Sequence, residues 1–135
     1  MRALDVRRRL GLGAALYVPH LIEEAMTGMH DDPLIVAAWA PLSNLSPRHA
    51  AYLVFQVTFA LALGATYLVL GGRNGRLIVL SILAFALLAE AHHVVRALLS
   101  LRYNSGLFTS LPLPVAGALL GRALASDALH QEARA

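Results

Sequence analysis

The chain has 135 residues, 58 % of them hydrophobic and 14 % charged, with a formal net charge of +3 and a mean hydropathy of +0.62, which is too apolar for an ordinary water-soluble domain. It has no cysteine, so disulfides, thiolate metal sites and a cysteine nucleophile are excluded, and histidine and carboxylate chemistry remain. All the basic residues are arginine, scattered at the ends of apolar segments, a pattern that argues for membrane topology and against nucleic-acid binding.

The first segment opens with Arg2 and Arg7-Arg8-Arg9 and turns apolar from Leu10 to Val18. It looks like the charged and apolar parts of a signal peptide, but Pro19, His20 and two glutamates stand where a small-residue cleavage site would fall. It is therefore read as a retained span over about residues 10–29. Its second half is polar and inserts only if other helices cover it. His30-Asp31-Asp32-Pro33 follows, then the apolar run Leu34 to Ala40 with Trp39, bounded by Pro41 and Pro47. That run is too short to cross a bilayer and reads as an interfacial or re-entrant piece.

Three more spans are expected at about 49–71, 77–101 and 106–126, each near the length a bilayer requires. Pro112 and Pro114 predict a kink or broken turn in the last. The fold class is thus all-α, a single integral membrane domain built as a four-helix bundle. Arg2, Arg7 to Arg9, Arg73, Arg76 and Arg134 fall on one side, and Asp31 and Asp32 with Arg48 and Arg102 on the other. The positive-inside rule then puts both termini in the cytoplasm of a multi-pass protein, and the Ala-, Gly- and Leu-rich, lysine-free composition suits a bacterial inner membrane.

Three of the four glutamates, Glu23, Glu24 and Glu90, lie inside these apolar stretches. A carboxylate in hydrocarbon is costly, so such residues face a bundle interior and mark a working site. At about 100° per residue, His20, Glu23 and Glu24 share one face about 100° wide, with Tyr17 near its edge. Glu90 and His93, three apart, share a face of the third span, while His92 points away with Arg96. From Arg9 to His20 a helix climbs about 16 Å and from Arg76 to Glu90 about 21 Å, so the two clusters meet at similar height.

Two imidazoles and three carboxylates suit iron, zinc or manganese rather than calcium. The pairs His20/Glu23 and Glu90/His93 are similar to the Glu-x-x-His pairs of carboxylate-bridged di-metal bundles, one carboxylate short of the full set. His49, Gln56 or a water would complete it. The expected ligands are His20, Glu23, Glu24, Glu90 and His93, around one or two ions, with His20, Glu24 and Glu90 carrying the chemistry. Tyr17, Gln56, Asn104 and Thr109 are expected to support ligands or touch substrate. A purely structural polar network is the bland alternative.

His20-Leu21-Ile22-Glu23-Glu24 resembles the signature of the HxxEE-domain family of small four-span bacterial membrane proteins. The cluster Glu90/His92/His93, then Arg102-Tyr103-Asn104-Ser105-Gly106, Thr109 and a proline at Pro112 or Pro114, look like that family's later pattern. Ser105 stands where most members carry proline. The resemblance covers about residues 10–120 and implies an integral membrane enzyme without naming its reaction.

The expected function is a metal-dependent membrane enzyme, a hydrolase, oxidoreductase or isomerase acting on a lipophilic small molecule or lipid. A metal-free version uses the same residues as acid and base. The alternative is a proton- or metal-coupled transporter, against which stands the apolar inner half of the spans. Haem bound between two histidines is disfavoured by the glutamates packed beside them.

Overall fold

The computed structural model describes residues 3–38, 48–69 and 72–132. All regular elements among them are helical. In chain order they are α1 (Ala3–Thr27), a 3-10 turn (Met29–Asp31), α2 (Pro33–Ala38), α3 (Arg48–Val69), α4 (Gly72–Ala89), α5 (Ala91–Ser100), α6 (Leu107–Ser110) and α7 (Leu113–Glu132). Arg2, Trp39, Pro41, Pro47 and Arg134, and the side chains of Arg48, His49, Arg73 and His130, lie outside the described residues.

α1 continues as helix through Pro19 and stops at Gly28, whose φ of 90° is a left-handed conformation that costs glycine little. α4 and α5 are nearly one rod, interrupted at Glu90, where the His93 amide bonds the Glu90 carbonyl at 3.2 Å in a 3-10 pattern. The break expected from the two prolines falls at 111–112. Pro114 then sits in the first turn of α7, where its missing N–H is no loss. Two stretches, Gly75–Ser100 of 26 residues and Leu107–Ser126 of 20, are long and apolar enough to cross a membrane.

α7 lies closely against α4. A side chain at Gly117 would begin 2.7 Å from the Ala84 carbonyl oxygen and 2.8 Å from the Leu88 nitrogen, so glycine permits the backbone approach that helix pairs in lipid rely on. Gly13 gives α1 the same latitude, with Leu87 Cδ1 where its Cβ would stand. Leu80, Ala84, Leu120 and Leu124 form the apolar core at one end, with Val6, Leu10, Leu77 and Leu83 packed on it. Leu87, Leu113 and Ala116 continue it upward against Leu16 and Tyr17. Near the start of that end Arg9 bonds Asp5 at 3.1 Å and the Leu119 carbonyl at 3.2 Å. Val18, Ile22, Phe85, Leu98 and Leu99 point outward.

Candidate metal centre

Above the Leu87 layer the bundle interior turns polar. His20 and Glu24 come from consecutive turns of α1, Glu90 from the interruption between α4 and α5, and His93 from the first turn of α5. His20, Glu24 and His93 are buried, at 0, 4 and 1 % exposure. The side chain of Glu90 is 15 % exposed, which makes it the accessible member of the four.

One ligand atom from each of these residues lies within 4.8 Å of every other. His20 Nε2 is 3.4 Å from Glu24 Oε1 and 3.2 Å from Glu90 Oε2. His93 Nε2 is 3.4 and 3.3 Å from the same two oxygens. Nitrogen and oxygen therefore alternate around a common point. These four separations are short enough for all four atoms to bind one ion at the bond lengths usual for nitrogen and oxygen ligands. His93 Nε2 is buried and makes no hydrogen bond. Two carboxylates around such an atom favour positive charge between them, from a metal ion or from protons on the rings. The group thus fits a metal ion, and its two-nitrogen, two-oxygen donors suit a transition metal.

The other sequence candidates surround this group. Glu24 accepts a hydrogen bond on Oε2 from the Tyr52 hydroxyl, which in turn accepts one from Gln56 Nε2 at 3.0 Å. Gln56 thus acts through Tyr52 and does not itself reach the centre. Tyr52, fully buried on Met29, escaped the sequence reading; the signal for it is Gln56 one turn further on the same helix face. Tyr17 lies beside His20, ring centroids 5.7 Å apart. Asn104 Oδ1 is 3.0 Å from His93 Nδ1, and Thr109 Oγ1 is 3.1 Å from His20 Nδ1.

Glu23 is not brought into the group. Its carboxylate turns toward the segment after α5. There it accepts hydrogen bonds from the Thr109 amide at 2.8 Å, the Thr109 hydroxyl, the Phe108 amide at 3.3 Å and the Tyr103 hydroxyl at 2.7 Å. Glu23 and Glu24 leave α1 about 100° apart, so the first meets α6 while the second meets α3. Partial burial, reinforced by the Glu23 carboxylate, raises the pKa of the Tyr103 phenol, which keeps it a donor in this bond. The same segment holds Gly106, with φ of 81°. A Cβ there would fall 2.7 Å from His20 Cε1, 2.9 Å from His93 Cε1 and 3.0 Å from Glu24 Cγ. Bare backbone thus closes one side of the centre.

His92 points outward, with Nδ1 donating to the Ala89 carbonyl at 3.0 Å and its ring 3.9 Å from that of His93. Arg96 pairs with Asp32 rather than with Glu90. His30 sits half-buried beside Asp31 at 3.6 Å.

Over residues 12–119 the chain matches the family described as "Protein of unknown function with HXXEE motif", and it belongs to that family. No curated protein and no solved structure matches it.

Proposed function

We propose that this member of the HXXEE family is an integral membrane enzyme that binds one transition-metal ion, iron or zinc, at His20, Glu24, Glu90 and His93 and acts on a lipophilic small molecule or lipid. The observation that carries the reading is the alternation of two imidazole nitrogens and two carboxylate oxygens around one buried point, at separations short enough for a single ion to bind all four. A bound ion there would supply Lewis acidity to a water or a substrate oxygen and, if it were iron, redox chemistry with dioxygen.

The chain's own residues divide the remaining tasks. Tyr52 and Gln56 hold Glu24 in place, and backbone at Gly106 shields the two rings. Glu90, the accessible carboxylate, is the group from which a proton can pass to or from a substrate. A groove of about 570 Å³ is lined by Met29, Asp32, His92, Val95, Arg96, Leu99 and Ser100, and the ring of His92 lies 3.9 Å from that of His93. Its walls, Val95 and Leu99, are lipid-facing and offer an apolar ligand a lateral approach.

The membrane reading rests on the two span-length apolar stretches, on the outward-facing leucines, valines and phenylalanine, and on α3, whose 22 residues include a mostly apolar run. In the four-span arrangement both termini are cytoplasmic, and a reporter fused after Ala135 that is active only on the outer side would overturn that topology. A transporter is disfavoured because Leu80, Ala84, Leu120 and Leu124 close the bundle below the polar group. Metal analysis of detergent-purified protein tests the proposal. About one ion per chain is expected, lost in His20→Ala and Glu90→Ala. Metal-free wild-type protein after growth with iron and zinc would leave acid–base catalysis by the same residues as the better account.

A further inference from the structure

The hydrogen bonds on the outer nitrogens of the two buried rings have a fixed direction. The Asn104 amide nitrogen donates to the His93 carbonyl at 2.8 Å, which leaves the Asn104 carbonyl oxygen facing His93 Nδ1. That oxygen can only accept, so His93 Nδ1 carries a hydrogen. On the other ring, the Thr109 hydroxyl gives its single hydrogen to the Glu23 carboxylate, which also can only accept. The Thr109 oxygen then takes its bond from His20 Nδ1. On an uncharged ring held this way the lone pair lies at Nε2: on His93 that atom makes no hydrogen bond, while on His20 it lies 3.2 Å from Glu90 Oε2, an acceptor that competes with Thr109 for the ring's one hydrogen.

We propose that Thr109, oriented by Glu23, and Asn104 are positioning residues that lock His20 and His93 as Nδ1–H tautomers and so hold both Nε2 atoms ready for the metal ion. This deepens the metal reading above and rests on it for its purpose, though not for its geometry. The two adjacent glutamates of the motif then have separate tasks. Glu24 supplies a ligand oxygen. Glu23, fixed by the Tyr103 hydroxyl and the Phe108 and Thr109 amides, sets through Thr109 the tautomer of the histidine three residues before it.

Both locks come from one stretch, Asn104 to Thr109, which follows α5 and is tied down by Glu23. Metal ligands whose second nitrogen donates to a fixed acceptor lose about 10–100-fold in affinity when that acceptor is removed. The two acceptors differ. His93 faces a neutral amide, whereas His20 faces a hydroxyl already bonded to a carboxylate, a chain in which each bond strengthens the next.

The test uses full-length protein with ¹⁵N-labelled histidine rings, metal-free and with the rings uncharged. In wild type both rings should carry their hydrogen on Nδ1. Thr109→Val keeps the side-chain shape and removes the hydroxyl; the His20 hydrogen should move to Nε2, where the Glu24 and Glu90 oxygens can accept it, while His93 stays as it was. Thr109→Ser should restore the wild-type spectrum, and Asn104→Leu should shift His93 alone. Thr109→Ala serves as a second variant should valine prevent folding. An Nε2–H tautomer of His20 in wild type, or an unchanged His20 in the threonine variants, overturns the proposal whatever the metal does. Cobalt(II) titration of the same samples should show about 10–100-fold weaker binding in Thr109→Val and recovery in Thr109→Ser. Locked tautomers in a wild-type protein that binds neither cobalt, zinc nor iron would refute the metal reading and with it the purpose proposed for the lock. Equal cobalt affinity in wild type and Thr109→Val would show that the lock does not serve the metal.

Discussion

Around Leu80, Ala84, Leu120 and Leu124 the helices are joined by fit, whereas around His20 and His93 they are joined by bonds that have a direction. The first end tolerates exchange of one hydrocarbon group for another, provided volume is kept and glycine remains where backbones touch. The second tolerates almost no exchange, because each donor there answers a particular acceptor and an orphaned partner in a dry interior is expensive. The contrast teaches that stability and chemistry are housed in separate halves of one small bundle, so substitutions should divide cleanly between them.

The largest effect is expected from Gly117→Leu, which forces a side chain against the Ala84 carbonyl and Leu88 nitrogen. Backbone cannot yield cheaply, and a stability loss on the order of 3 kcal/mol is expected, read by unfolding in increasing sodium dodecyl sulfate. An unaffected unfolding midpoint would mean that α4 and α7 are not in backbone contact. Next comes Gly106→Ala. Its left-handed backbone costs an L-residue about 1–2 kcal/mol, and its Cβ crowds both imidazoles and Glu24. Metal affinity should fall at least about tenfold while helix content is unchanged; loss of helix instead would show that the two halves are not separable.

Tyr52→Phe is a gentler cut, removing the hydroxyl that holds Glu24 and leaving the Gln56 amide without its acceptor. About tenfold weaker metal binding is expected from isothermal titration, with little change in unfolding. The smallest effect belongs to Leu99→Ala, at a residue 82 % exposed on the outward face of α5. Stability should stay within about 0.5 kcal/mol of wild type. A larger loss would reveal that this face of α5 is covered by a partner.

His20, Glu24, Glu90 and His93 were legible in the sequence because ionisable residues in apolar runs contradict their surroundings and because spacings of three and four mark one helix face. Glu23 could not be told from Glu24 on that basis. Both lie within about 60° of His20 around the helix, and what separates them is which neighbour stands on each side, α6 for one and α3 for the other. Helical periodicity carries no such information. The proline pair announced the break before α7, since a ring without an N–H must fall at a helix start. The interruption at Glu90 left no comparable trace, as neither proline nor glycine marks it. Asn104 and Thr109 were named as supporting residues, but their pairing with particular rings depends on a turn through Gly106 that local sequence alone does not specify.

The polar group is also a statement about order in time. His20 meets Glu90 across 70 residues and Thr109 across 89, so no early fragment of the chain contains a closed site. Loops of that length cost only a few kcal/mol to close, yet they cannot close before both ends exist. During synthesis the polar half of α1, though α3 can meet Glu24, therefore lacks its full cover until α5 and α6 have emerged. In the membrane arrangement proposed above, a helix bearing two glutamates and a histidine is poorly suited to lipid in that interval, and it would wait at the membrane surface or against the insertion machinery. Final embedding of α1 and completion of the centre thus become one late event, governed by the arrival of residues near position 109 rather than by the insertion of the first helix.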